Sequence, residues 1–99
     1  MEKDKTIVDF INKLKPIVNF TSLEIVDYWD ADLCAIGIKK GDRLIYISTF
    51  NYISDKVRKY DYDLEVINKS TKDKIRVLKE GRGVLEDELI AELKTFLQI

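Results

Sequence analysis

Ile7, Phe10, Ile11 and Leu14 recur at intervals of three and four, so they share one face of a helix between Thr6 and Leu14. Asp4 or Thr6 can cap its start, and Pro16, the only proline, stops it near Lys15 because a prolyl ring cannot sit in a helix interior. A short apolar stretch, Ile17, Val18 and Phe20, leads into a strand over residues 23–28. Residues 33–38 and 43–48 are rich in β-formers and flank Lys39-Lys40-Gly41-Asp42, which predicts a hairpin. With Lys40-Gly41 as a two-residue turn, Ile38 faces Arg43, Ile36 faces Ile45 and Cys34 faces Ile47, all on one nearly pure apolar side. The other side carries Leu33, Ala35, Gly37, Leu44, Tyr46 and Ser48 and is also rather apolar. Strands apolar on both sides belong to a sheet covered twice, or covered once and paired with a partner.

Residues 51–59 are polar, with Ile53 and Val57 four apart and Ser54 free to cap, which predicts a short helical turn. From Tyr60 the chain alternates strictly. Tyr60, Tyr62, Leu64 and Val66 lie on one side and Asp61, Asp63 and Glu65 on the other, so a half-buried strand with a solvated acidic outer face is expected. A polar turn over 68–73 and a last strand over 74–79 follow. After Gly81 and Gly83 a helix opens with Glu86, Asp87 and Glu88, acids suited to the positive end of a helix dipole. Leu89, Ile90, Leu93, Phe96 and Leu97 form its buried stripe. The order α-β-β-β-(short α)-β-β-α predicts an α+β fold: an antiparallel sheet of about five strands under N- and C-terminal helices, built as one domain over residues 1–99.

Composition narrows the function. A hydrophobic fraction of 45% beside a charged fraction of 35% supplies a core and argues against a disordered tail. Lys and Arg number 17 against 18 Asp and Glu, a net charge of −1, which gives little electrostatic reason to bind nucleic acid or an anionic membrane. The charged start Met1-Glu2-Lys3-Asp4-Lys5 does not lead into an apolar run of secretory length, and nothing approaches the roughly 18 apolar residues of a membrane span. One cysteine makes no internal disulfide. A cytoplasmic location is expected.

There is no histidine, so the commonest general base, the commonest metal ligand and the nucleophilic triads are gone. Cys34, between apolar neighbours, reads as a small core hydrophobe and not a reactive thiol. Asp27, Asp30 and Asp32 are the densest acids, but Asp27-Tyr28-Trp29-Asp30-Ala31-Asp32 lacks the bend glycine and distal glutamate of a calcium loop. Gly81-Arg82-Gly83 stands before three acids that would repel a phosphate. No catalytic site, cofactor or metal is expected, although carboxylate pairs leave an Asp/Glu hydrolase open on composition alone. What remains is charge. Residues 24–38 hold Glu24, Asp27, Asp30 and Asp32 and no Lys or Arg. Aromatic residues Tyr28, Trp29, Phe50 and Tyr52 interleave with the acids, Tyr28 being assigned to the core. The expected partner-binding residues are Asp27, Trp29, Asp30, Asp32, Phe50, Tyr52, Asp61, Asp63 and Glu65, the two acidic sets meeting on one side to face a basic partner. Lys69, Lys72, Lys74, Arg76, Lys79 and Arg82 make a basic stretch without the aromatic and glycine signature of an RNA-binding sheet.

By size, helix-sheet-helix order, acidic-aromatic patches and the segment Asp42-Arg43-Leu44-Ile45-Tyr46-Ile47-Ser48-Thr49-Phe50-Asn51-Tyr52, the chain resembles the small immunity proteins that neutralise contact-dependent or polymorphic bacterial toxins. The resemblance implies a non-catalytic inhibitor that binds a cognate toxin domain, a nuclease in the first instance, tightly and one to one. It transfers no site residues. The order α-βββ-α-ββ-α is also similar to small dimeric chaperones of bacterial secretion systems, and the two-sided apolar hairpin would suit a homodimer. The very short middle helix and the missing acidic excess speak against that alternative.

Overall fold

The computed structural model describes residues 3–27, 31–68 and 74–99. Helix α1 (Lys5–Leu14) precedes five strands, β1 (Glu24–Val26), β2 (Ala35–Lys40), β3 (Arg43–Ser48), β4 (Lys59–Asn68) and β5 (Lys74–Leu85), and helix α2 (Glu86–Leu97) follows. The strands form one open antiparallel sheet in sequence order, an α+β fold as expected. Both helices pack on the same side of it. Ile7, Phe10, Ile11 and Leu14 of α1 and Leu89, Leu93, Phe96 and Leu97 of α2 join Ile36, Ile38, Ile45, Ile47, Tyr60, Tyr62 and Leu64 in one core, with Ile90 at its margin. Each such side chain stabilises the fold by roughly 1.5–3 kcal/mol of apolar burial.

The helix ends are fixed by specific partners. Asp4 is the cap of α1: its Oδ2 accepts from the Thr6 amide at 2.9 Å. Thr6 and Thr49 share a buried hydroxyl hydrogen bond of 2.6 Å, which ties α1 to the end of β3. At the other helix, the free carbonyls of the last turn meet cations, as a helix C-terminus favours. Arg43 donates to the Phe96 carbonyl at 2.7 Å, with its guanidinium 5.3 Å from the Phe96 ring centroid, and Lys40 Nζ donates to the Gln98 carbonyl at 3.1 Å.

Five expectations change in detail. The β2–β3 pairing moves by two residues: Lys40 faces Arg43, Ile38 faces Ile45 and Ile36 faces Ile47. The turn is Gly41-Asp42, with Gly41 at φ 62°, the positive φ that a type II′ turn demands at its first central position. A shift of two keeps every side chain on its side, so the core face stands. Cys34 falls just outside β2, its carbonyl accepting from the Thr49 amide at 2.9 Å and not pairing with Ile47. The middle helix reduces to one 3₁₀ turn, Phe50–Tyr52, because Ile53 and Val57 are half-exposed and have no core face to hold them. Strand β5 runs past Lys79 to Leu85, and β1 is only three residues long. Among the described residues no helix is long and apolar enough to cross a membrane.

Candidate interaction surface

Neither α1 nor α2 lies on the other side of the sheet. Cross-strand register writes its rows directly. One runs Val26, Gly37, Tyr46, Asp63, Glu80; the next on one flank runs Glu24, Lys39, Leu44, Glu65, Val77; on the other flank stand Ala35, Ser48 and Asp61. Val26, Leu44 and Ile67 form a small second apolar cluster on this side.

Asp61, expected on a solvated face, is only 8% exposed, and Glu65 only 6%. The alternation gave the correct side and the wrong environment. At Asp61 the cause is a closed ring of donors. Its Oδ1 accepts from the Tyr52 hydroxyl at 2.7 Å and from the Gly83 amide at 3.0 Å, while Oδ2 accepts from Asn51 at 3.2 Å. The Gly83 amide points there because β5 carries an extra residue opposite Asp61, a bulge in which Gly83 takes φ 63°. Asp61 thus joins the Phe50–Tyr52 turn to the β4–β5 pair. The same hydrogen bond pushes the Tyr52 hydroxyl pKa up, with burial adding to it. Asp63 is half-buried and bound to Arg82 at 3.0 Å, and Arg82 also meets the Tyr62 carbonyl at 3.0 Å and Glu80 at 3.5 Å.

Tyr46 stands between the two acidic sets. Burial raises its hydroxyl pKa, and Asp32, Asp63 and Asp61 push the same way, while the Ser48 hydroxyl opposes them. One phenol therefore feels the charge of Asp32 as well as that of Asp61 and Asp63. Asp27 is drawn aside: Lys3 Nζ donates to its Oδ1 at 2.7 Å and to the Asp32 carbonyl at 2.9 Å. Asp32 itself turns the chain, its Oδ1 accepting from the Cys34 amide at 3.0 Å. Trp29 and Asp30 lie outside the described residues, as do Tyr28, Lys69 and Lys72.

At the rim, Phe50 is 63% and Leu33 53% exposed, and with Ala31, Asp32 and Cys34 they line an open cleft of about 400 Å³. Phe50 has the exposure of an anchor, whereas Tyr52 is committed to Asp61. Burial pushes the Cys34 thiol pKa up, with Asp4 adding to it. Among the described residues no group of three or more Cys, Asp or Glu is arranged to hold a metal ion. Tyr46, Leu33 and Arg82 complete the surface and were not singled out from the sequence. The available signal was the placement of Tyr46 and Leu33 on the second apolar side of the hairpin; for Arg82 there was none, since its role depends on the bulge.

Fold and surface define a helix-backed open antiparallel sheet whose other side is acidic with an apolar rim. No protein-family model, no curated protein and no solved structure matches the chain.

Proposed function

We propose that this is a non-catalytic binding protein of the immunity type, acting in the cytoplasm, which neutralises a cognate bacterial toxin domain one to one through the sheet face around Tyr46. The observation that carries the proposal is the row of acids Asp61, Asp63 and Glu65 along β4, on the side of the sheet away from α1 and α2. A toxin that grips phosphates presents cations, and an acidic face both steers to such a surface and complements it. Leu33 and Phe50 at the rim supply the apolar burial that interfaces use for energy. The acids are held in place before binding, Asp61 by its donors and Asp63 by Arg82, so little order has to be gained on association.

Co-expression with the protein encoded immediately upstream of its gene tests this. A one-to-one complex on size exclusion, together with relief of that protein's toxicity, is the expected result. A second reading has one observation in its favour. Strand β5 is an edge strand of 12 residues with Val77 45% and Leu78 52% exposed, a template for an added strand. On that reading the protein is a dimeric chaperone, and it would run as a dimer alone and hold an unfolded segment in place of a folded domain.

A further inference from the structure

Strand β5 closes one edge of the sheet: β4 pairs with it on one side, and no described strand pairs with it on the other. Along residues 76–80 the side chains of Arg76, Val77, Leu78, Lys79 and Glu80 are all exposed, so this stretch is uncovered on both sides of the sheet. The opposite edge, β1, is only three residues long and offers far less backbone. Register sorts the side chains of β5. Arg76 stands opposite Val66 and Lys79 opposite Leu64, two positions apart on β4. The irregularity between them leaves Leu78 without a partner and turns both cations to the side that bears α1 and α2. In a regular strand, residues three apart would point to opposite sides. Val77, opposite Glu65, and Glu80, opposite Asp63, lie on the other side.

These charges are not equally occupied. Among the described residues no acid forms an ion pair with Arg76. Lys79 meets Glu92 at 2.6 Å, yet its side chain stays half-exposed. Glu80, the one acid of the stretch, is already met by Arg82 at 3.5 Å. We propose that residues 76–80 of β5 receive an extended acidic segment of a partner protein as an added strand. Its carboxylates would stand opposite Arg76 and Lys79 on the helix-bearing side, and its apolar side chains beside Val77 on the other. Main-chain pairing supplies the affinity of such a contact, and alternate side chains supply the selection. Opposite charges directly across two strands attract and like charges repel, so two cations aligned on one side select acids at every second position. The assignment does not depend on the acidic side of β4, and it gives the exposed edge an occupant of defined chemistry. A bulge and edge cations are also how a strand is guarded against pairing. On that use nothing pairs with residues 76–80, so the two roles make opposite predictions.

The test uses the full chain labelled with ¹⁵N, its amide hydrogen exchange followed by NMR. The probe is a capped octapeptide of alternating glutamate and valine. One control replaces glutamate by lysine, and another is the glutamate peptide N-methylated throughout, which keeps the charge and removes the strand donors. With the probe at about ten times its Kd, amides of residues 76–80 that do not pair with β4 should exchange about tenfold more slowly, because only the free protein exchanges. Arg76→Glu should weaken binding about fivefold or more, as an attractive cross-strand pair becomes a repulsive one, with melting unchanged. Absence of protection at residues 76–80 overturns the proposal, as does equal affinity of Arg76→Glu. Equal protection by the lysine peptide overturns the acidic chemistry of the occupant, and equal binding of the N-methylated peptide overturns strand addition. A dimer whose residues 76–80 are protected without any peptide would give the edge to a second copy of the chain and overturn the proposal too.

Discussion

Asp61 and Glu65 lie on one strand and one side, and what surrounds them separates their roles. Asp61 accepts from the Tyr52 hydroxyl, the Gly83 amide and Asn51, so Asp61→Ala removes three hydrogen bonds to a charged group and should cost roughly 1.5–3 kcal/mol in urea unfolding. A loss below about 0.5 kcal/mol would mean that the ring of donors contributes nothing to stability. Glu65 acts in the opposite sense. Its folded pKa is raised, so the folded state holds the proton to higher pH than the unfolded chain, and stability falls as pH rises from the ordinary glutamate value of 4.5 through the folded value. Glu65→Gln should abolish that decline. Asp4 has a lowered pKa, caused first by the Thr6 hydroxyl and then by the Thr6 amide. Its contribution is present above the ordinary aspartate value of 3.8 and is lost as pH falls through the folded value. Unfolding midpoints of the parent, Glu65→Gln and Asp4→Ala across pH 3–7 (about the span of carboxylate titration) separate the two. Cys34 should resist alkylation in the folded protein and react on unfolding, because burial raises its thiol pKa and blocks access.

Among the elements, the helix stripes and the hairpin face were legible because burial imposes one spacing on a helix and another on a strand. Ile45 and Leu93 are fully buried in the shared core, and truncating either to Ala should cost about 2–5 kcal/mol. The pairing of the hairpin was not legible from hydrophobicity. Turns at Lys40-Gly41 and Gly41-Asp42 keep the same residues inside, and only the positive φ required at the first central position chooses between them. Strand β5 beyond Lys79 was hidden for a related reason: Gly81-Arg82-Gly83 has the composition of a break, yet it forms a bulge opposite Asp61. Gly83→Ala should cost about 1–2 kcal/mol, the penalty of an L-residue in the left-handed region, and should loosen Tyr52 from Asp61.

For the whole molecule, α1 and α2 lie on one side of the sheet and the acids of β4 on the other. The acidic side of β4 could be read from alternation, and the aromatic rim in part from Phe50. The burial of Asp61 could not, because it depends on the Phe50–Tyr52 turn and the Gly83 bulge that meet at its carboxylate, and alternation gave no sign of the burial of Glu65. Asp61, Asp63 and Glu65 stand together on one side of β4, a local clustering of acids that the net charge of −1 conceals. Association with a basic partner should therefore slow as salt rises, since steering is screened beyond about 10 Å at 0.1 M ionic strength. Dissociation should respond much less, because the contacts that hold the complex are desolvated.

The most direct measurement is calorimetric titration of the protein encoded immediately upstream against the parent and the Asp63→Asn/Glu65→Gln pair, each variant first checked for an intact fold by melting. Both substitutions keep shape and remove charge from the side of the sheet away from α1 and α2. Binding weakened about 30-fold or more, with melting unchanged or improved, is the expected result. Equal affinity of the parent and the doubly substituted protein would contradict the assignment of this face as the partner surface.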